Sequence, residues 1–438
     1  MRRLALFAAL ILLASQTGCE RPLVDPLERP VDVVGVDLGV VQVSPRLLFG
    51  LRVSGATELT VDGRATVPGS DGVFTADVRL ERGLNRLAVR ASDASGVLAT
   101  DTLDALYLPV AADPVAAFAL PSARTEAAVA ASGSRVLVTG GAGAGGAALA
   151  TMAILTPTGA RFSGVDVPLL AARAGHTAST LPDGSVLLVG GSSIREPQRP
   201  SDFVTSVEIV RPGATASERV ALPTGAPVRA GHTARVLQTD GRTVVYLYGG
   251  IVPSGASAAT TSGTVDVFEW TAATSELRRL SPEGGAGAFR PLSGHVQIPL
   301  VDETGLSGFA RDLVAGGDAG FTFSFTLPGA VYPFDLAATA VVSPRTPRVD
   351  AAGAPLGLDG LGLVVGGQDG SGGVLATGEV VAVRAGRALA PFRLPDGVRL
   401  AVARSGAGAT RLAGNRILVA GGRTATGAPT AAVEVFSY

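Results

Sequence analysis

Apolar and polar positions alternate with period two along most of this chain. Phe74, Ala76, Val78 and Leu80 alternate with Thr75, Asp77 and Arg79, and Leu87, Val89 and Ala91 with Arg86, Ala88 and Arg90. Alternation over five to seven residues between Gly-rich breaks predicts half-buried strands. These strands belong to a first unit, residues 31–109. From residue 112 a repeat takes over. Six apolar runs end in Gly-Gly, with second glycines at 141, 191, 250, 317, 367 and 422, spaced 50, 59, 67, 50 and 55 residues apart. Other doublets, such as Gly145-Gly146 and Gly284-Gly285, follow no strand-like run. Upstream, Arg-Ala-Gly-His recurs at 173–176 and 229–232, with a degenerate copy ending at His295 and none visible in the fifth repeat. Downstream comes an alternating strand (SVEIV from Ser206, TVDVFEW from Thr264, VEVFSY from Val433) and then a more variable fourth.

A four-stranded sheet cannot bury both faces alone, so repeated sheets must stack around a ring. Glycine lets each strand end at the crowded ring without a Cβ clash and permits positive φ. Asp183-Gly184, Asp240-Gly241 and Asp359-Gly360 sit between the first two strands of their repeats, where a tight hairpin wants φ > 0. The last repeat ends at Tyr438 without a fourth strand, whereas 115–121 looks like an orphan fourth strand ahead of the first repeat. Pairing of this segment with 433–436 is expected to close the ring.

This order of strands, with Trp270 after a third strand, resembles the kelch repeat. The string GVFTADVRLERGLNRLAVRASDASG, with Gly83, Leu84, Asn85, Asp93 and Gly96, resembles a bacterial immunoglobulin-like domain. The resemblances imply an all-β chain: an immunoglobulin-like β-sandwich over 31–109, then a six-bladed kelch-type β-propeller over 112–438.

The N-terminus sets the compartment. Arg2 and Arg3 precede an apolar run from Leu4 to Ala14, too short to span a bilayer and suited to a secretory signal. Cys19, the one cysteine, follows in QTGC and resembles the lipidated cysteine of bacterial lipoproteins. The expectation is a signal peptide over 1–18, a lipidated Pro-rich tether over 19–30 and export to the cell envelope, at the outer membrane of a Gram-negative host. The net charge of −1 gives no footprint for nucleic acid.

Candidate chemistry is sparse. His176, His232 and His295 share one repeat position. Equivalent positions stand apart around a ring, so structural hydrogen bonds are expected rather than a metal site. A copper-radical oxidase of the kelch type needs a cysteine inside the propeller, and none is there. A mutarotase or epimerase needs acid–base groups in the channel; Glu196, Asp202 and Glu379 are the candidates, each with solvated charge as the plainer reading. Gly140–Gly146 lacks the Lys-Ser/Thr of a phosphate loop. DASG from Asp93 and DETG from Asp302 read as turns before they read as Ca²⁺ loops. Phe321, Phe323 and Phe325 alternate as one face of a strand would.

Binding is the expected function, with no catalytic residue, cofactor or metal. Loops joining strand 2 to 3 and strand 4 to the next strand 1 fall on one face, and two are long: 192–205 and 251–263. The first carries Arg195, Glu196, Arg199, Asp202 and Phe203, suited to a protein or glycan ligand. The alternative is a carbohydrate-active enzyme, which would show convergent charged groups with perturbed pKa in the channel.

Overall fold

A computed structural model describes residues 30–158, 161–239, 241–281, 292–300, 309–316, 321–328, 338–342, 345–358, 360–384 and 387–438. The expected signal segment, Cys19, nearly all of the tether, the Asp302 string, Asp240, Gly284-Gly285, Gly317 and Asp359 lie outside the described residues. Among those described, regular structure is β-strand, with one short 3₁₀ turn at Pro200–Asp202. None of them forms a helix long and apolar enough to cross a membrane.

The chain divides into two compact units. The first takes residues up to 37 with 46–80 and 86–104; the second takes 38–45, 81–85 and 105–438. In the first, the strands form two four-stranded sheets, one ordered Asp32–Val34, Arg46–Arg52, Phe74–Arg79, Val67–Pro68. The other is built on Arg64–Ala65, Glu58–Val61 and the long strands Gly83–Asp93 and Gly96–Tyr107. The alternation lands as expected: Phe74, Ala76, Leu80, Leu87, Val89 and Ala91 are buried. The DASG string is a turn, in which Asp93 Oδ1 accepts the N–H of Ser95 at 2.7 Å and of Gly96 at 3.1 Å.

The second unit contains a succession of six antiparallel sheets of four strands, the fifth carrying one extra short strand. Each repeat supplies its strands in sequence order. The second repeat, for example, gives Thr177–Thr180, Val186–Val189, Glu208–Val210 and Glu218–Arg219. The sixth breaks the rule. Its outer strand is Ala111–Ala119, paired with Ala432–Ser437 so that Val433 faces Phe118 and Phe436 faces Ala112. The orphan strand therefore pairs as expected and begins earlier than the sequence suggests. First strands of successive sheets pack on one another, and that of the sixth, Gly408–Leu412, packs on that of the first, Ala128–Ser132. The arrangement is consistent with a β-propeller. Second strands such as Val186–Val189 are buried on both faces, as stacking between neighbouring sheets requires.

The Gly-Gly doublets are the joints between repeats. The second glycine donates its N–H to the carbonyl at the head of the next repeat: Gly141 to Arg173, Gly191 to Arg229, Gly250 to Leu292, Gly367 to Arg404 and, at closure, Gly422 to Arg124, at 2.8–2.9 Å. Both glycines adopt positive φ, and a Cβ on Gly190 would sit 2.5 Å from the Arg229 carbonyl oxygen and 2.8 Å from the His232 ring. The histidines thus fill the space that the doublets leave. His176 Nε2 lies 2.8 Å from Thr139 Oγ1, His232 Nε2 3.3 Å from Thr177 Oγ1 and His295 Nε2 2.9 Å from Thr233 Oγ1. Burial, followed by the neighbouring arginine, holds His176 and His232 well below the ordinary imidazole range, so both are neutral at pH 7.

Among the described residues, a buried ion pair locks the first, second, third, fifth and sixth repeats. Arg124, Arg173, Arg229, Arg348 and Arg404 are at most 3% exposed. They pair with Asp166 at 2.8 Å, Glu208 at 2.6 Å, Asp266 at 2.7 Å and Glu379 at 3.2 Å, and with Glu434. The acid stands on the third strand, opposite the residue two before the doublet: Leu188 faces Glu208 and Val364 faces Glu379. In the first repeat that place is Ala153, and Asp166, opposite Ala153 on the fourth strand, substitutes for the missing acid. In the fourth repeat both partners change together. Leu292, 1% exposed, replaces the arginine, and Phe323 holds the acid's register place opposite Val314. Phe321–Pro328 is a strand, as the alternation of its phenylalanines predicts.

Candidate functional site

A four-residue string heads each repeat, opened by the lock's arginine or, in the fourth, by Leu292, and the third residues of these strings lie next to one another. In repeats one to six these are Glu126, Gly175, Gly231, Gly294, Asp350 and Gly406. Their backbones bond in a chain: Gly231 N–H to Gly175 O, Gly175 to Glu126, Glu126 to Gly406, Gly406 to Asp350 and Asp350 to Gly294, at 2.7–3.0 Å. All six have φ between 53° and 64°. Glycine takes that conformation freely, whereas an L side chain pays about 1–2 kcal/mol for it. Glu126 and Asp350 accept that strain where four repeats avoid it.

Both carboxyls line a cavity of about 270 Å³, together with Ser192, Arg195, Glu196, Pro197, Ile251, Ser293 and Arg423. The long loops 192–205 and 251–263 supply its rim; the second rises as a hairpin of Ile251–Pro253 and Ala259–Thr261. Arg195 Nε lies 3.2 Å from Glu126 Oε1, and its Nη2 lies 3.1 Å from Glu196 Oε1. Arg423 Nη2 lies 3.2 Å from Asp350 Oδ2, and its Nε donates to Ser405 Oγ at 3.0 Å. Desolvation, reinforced by the negative charge of Asp350, pushes Glu126 up to about 7 against the pull of Arg195 and Arg423. A carboxyl that titrates near neutrality donates or accepts a hydrogen bond, and can pass a proton, at physiological pH.

The residues singled out from the sequence divide sharply. Arg195 and Glu196 line this cavity. Arg199 is exposed on the same loop. Asp202 is a structural cap, its Oδ2 accepting the N–H of Gln198 at 2.9 Å and of Arg199 at 2.8 Å. Phe203 is not a surface aromatic: it is 5% exposed, and its backbone bridges Ser192. An apolar ring on a loop whose ends are pinned to the sheet turns inward to escape water. Glu379 is likewise no solvated charge, since it closes the Arg348 lock at 2% exposure. Glu126, Asp350 and Arg423 were missed. The signal of the two carboxyls is visible once the strings are stacked: Arg-Thr-Glu-Ala and Arg-Val-Asp-Ala stand where three other repeats read Arg-x-Gly and the fourth reads Leu-Ser-Gly. The second of these is the fifth repeat's string, which is hidden in the sequence by its lack of both Gly and His.

No family model matches the chain, and no curated protein matches it. Among solved structures, one titled "Structure of YjhT" aligns with 74% of this chain and 97% of its own at 13% identity and a TM-score of 0.50. That likeness concerns the fold alone.

Proposed function

We propose that this chain is an exported envelope lipoprotein, held at the outer membrane through acyl groups on Cys19. In this reading an immunoglobulin-like module, 31–109, carries a six-bladed kelch-type β-propeller, 112–438. The propeller binds a small hydroxyl-rich ligand, a glycan or its terminal sugar, at the mouth formed by the Gly-Gly loops. The propeller reading is supported by the six successive sheets, the cyclic packing of their first strands and the strand borrowed from before the first repeat.

One observation carries the ligand site. Glu126 and Asp350 hold a strained backbone at positions where four other repeats use glycine, so the ring itself does not need them. Strained, partly buried carboxyls in a concave mouth are better explained by a ligand than by stability. Carboxyls and guanidiniums side by side supply acceptors and donors, which matches hydroxyl groups that do both. A cavity of about 270 Å³ suits one or two sugar rings better than a flat protein epitope.

A second reading is proton-transfer catalysis on a sugar, favoured by the position of Glu126 near neutrality. Saturation-transfer NMR over a panel of monosaccharides and envelope oligosaccharides separates the outcomes. Binding that vanishes in Glu126→Gln and Arg195→Ala supports the site. Faster interconversion of a bound sugar's anomers or epimers adds catalysis. Silence across the panel, or binding indifferent to both substitutions, rejects this mouth as the site.

A further inference from the structure

We infer that the ligand is a linear oligosaccharide rather than a single sugar: one end lies in the cavity of Glu126 and Asp350, and the units behind it run outward through a neighbouring groove. The inference rests on the ligand-binding reading above and deepens it. The groove has a volume of about 530 Å³. It is walled by Gly145 and Ala147 in the first repeat, by Ile194, Arg195 and Glu196 in the second and by Pro429 in the sixth. Three links join it to the cavity. Arg195 and Glu196 line both. Thr125 of the groove precedes Glu126 of the cavity in the chain. Pro429 of the groove forms a backbone bridge with Arg423 of the cavity. Alone, the cavity of about 270 Å³ falls just short of the roughly 300–1,000 Å³ of small-molecule sites; with the groove it falls within that range.

The loops after the Gly-Gly doublets set the direction. Those of repeats two and three, 192–207 and 251–264, are long, whereas those of repeats one, five and six, 142–150, 368–377 and 423–431, are short. The long pair fences one side of the cavity. The groove leaves on a low side, between the short loops of repeats one and six, with Ile194 and Glu196 along its flank. Its chemistry suits a sugar chain. Ile194 is 40% exposed there, and with Ala147 and Pro429 it offers apolar surface to the C–H faces of sugar rings. Arg195 and Glu196 stand where cavity and groove meet and supply donors and acceptors for hydroxyl groups. An extended peptide fits less well, because it would need an open strand edge. On both sides of Ala147 the backbone is already paired: its carbonyl accepts the Gly143 N–H at 3.0 Å, and it bridges Ile194 on the other side. The Arg195 N–H is likewise spent on Gly146 O at 3.1 Å.

The test is titration of the full-length protein with chitin-, malto- and cello-oligosaccharides of one to four units. In at least one series the affinity is expected to rise by about tenfold or more between one unit and three. Ala147 is exposed in the groove, away from the carboxyls, and Ala147→Trp fills the path with a ring. That variant should bind the single sugar within about twofold of the wild type and lose the gain with length. Ile194→Ser, a milder change at an exposed side chain, should reduce the gain by a smaller factor. Single-sugar binding doubles as the check that each variant is folded. No gain with length in any series, silence included, overturns the groove, and the sugar site then stands or falls by the monosaccharide panel. A gain that survives both Ala147→Trp and Ile194→Ser also overturns it, since the chain would then leave by another path.

Discussion

Arg124 and Glu126 stand two residues apart in one string, both charged and both withdrawn from bulk water, yet they do opposite work. Arg124 is wholly buried, and its charge is answered by Asp166 and by the carbonyls of Gly140 and Thr151. Four other repeats build the same lock. Glu126 holds a backbone conformation that suits glycine, and its carboxyl is pushed towards neutrality. Buried charges that recur in five repeats belong to the scaffold. A strained charge found in two of the six strings, and opening onto a cavity, fits the proposed ligand site. Charge and burial alone do not separate the two; partnership and backbone cost do.

The scaffold side breaks hardest. Arg348→Ala is expected to cost about 3–5 kcal/mol in urea unfolding, because Glu379 is left buried and unpaired. The double variant Arg348→Leu with Glu379→Phe puts an apolar residue at both places, as the fourth repeat's sequence does with Leu292 and Phe323, and should be more stable than the single one. A double variant worse than both singles would show that the fourth repeat is tolerated for some other reason. Next comes the long loop. Phe203→Ala should cost about 3 kcal/mol, as truncation of a buried aromatic does. Arg195→Ala should leave stability within about 0.5 kcal/mol and abolish sugar binding. The reverse pattern, a stability loss at Arg195 and none at Phe203, would invert the roles assigned along this loop.

The sequence made the scaffold readable for a physical reason. Gly-Gly recurs because each described doublet meets the head of the next repeat too closely for any Cβ, and Gly190 against the Arg229 carbonyl is the pattern. The closing strand was readable because a third strand ending at Tyr438 needs a partner. The site was only half legible. Arg195 and Glu196 stood out on a long charged loop, but Phe203 and Asp202 looked the same there and serve the loop itself. Charge marks a surface loop without telling a cap from a contact. Glu126 and Asp350 were hidden because they depart from the repeat, and a search for repeats rewards agreement. Their importance depends on a positive φ, which is known at one position only when the others there are glycines.

The central claim is that Glu126 is retained for a ligand at some cost to the fold, and Glu126→Gly tests it most directly, with melting and sugar titration on the same sample. The account predicts a gain of about 1 kcal/mol from relief of the strained backbone, and loss of binding. It also predicts a pH signature. A folded carboxyl raised to about 7 from an ordinary value of 4.5 favours folding in acid and withdraws that stability as pH rises through this window. The variant should lose this part of the pH dependence, so its advantage over the wild type should be larger at pH 8 than at pH 4. A less stable Glu126→Gly that still binds sugar would contradict the account and make Glu126 a strut of the ring.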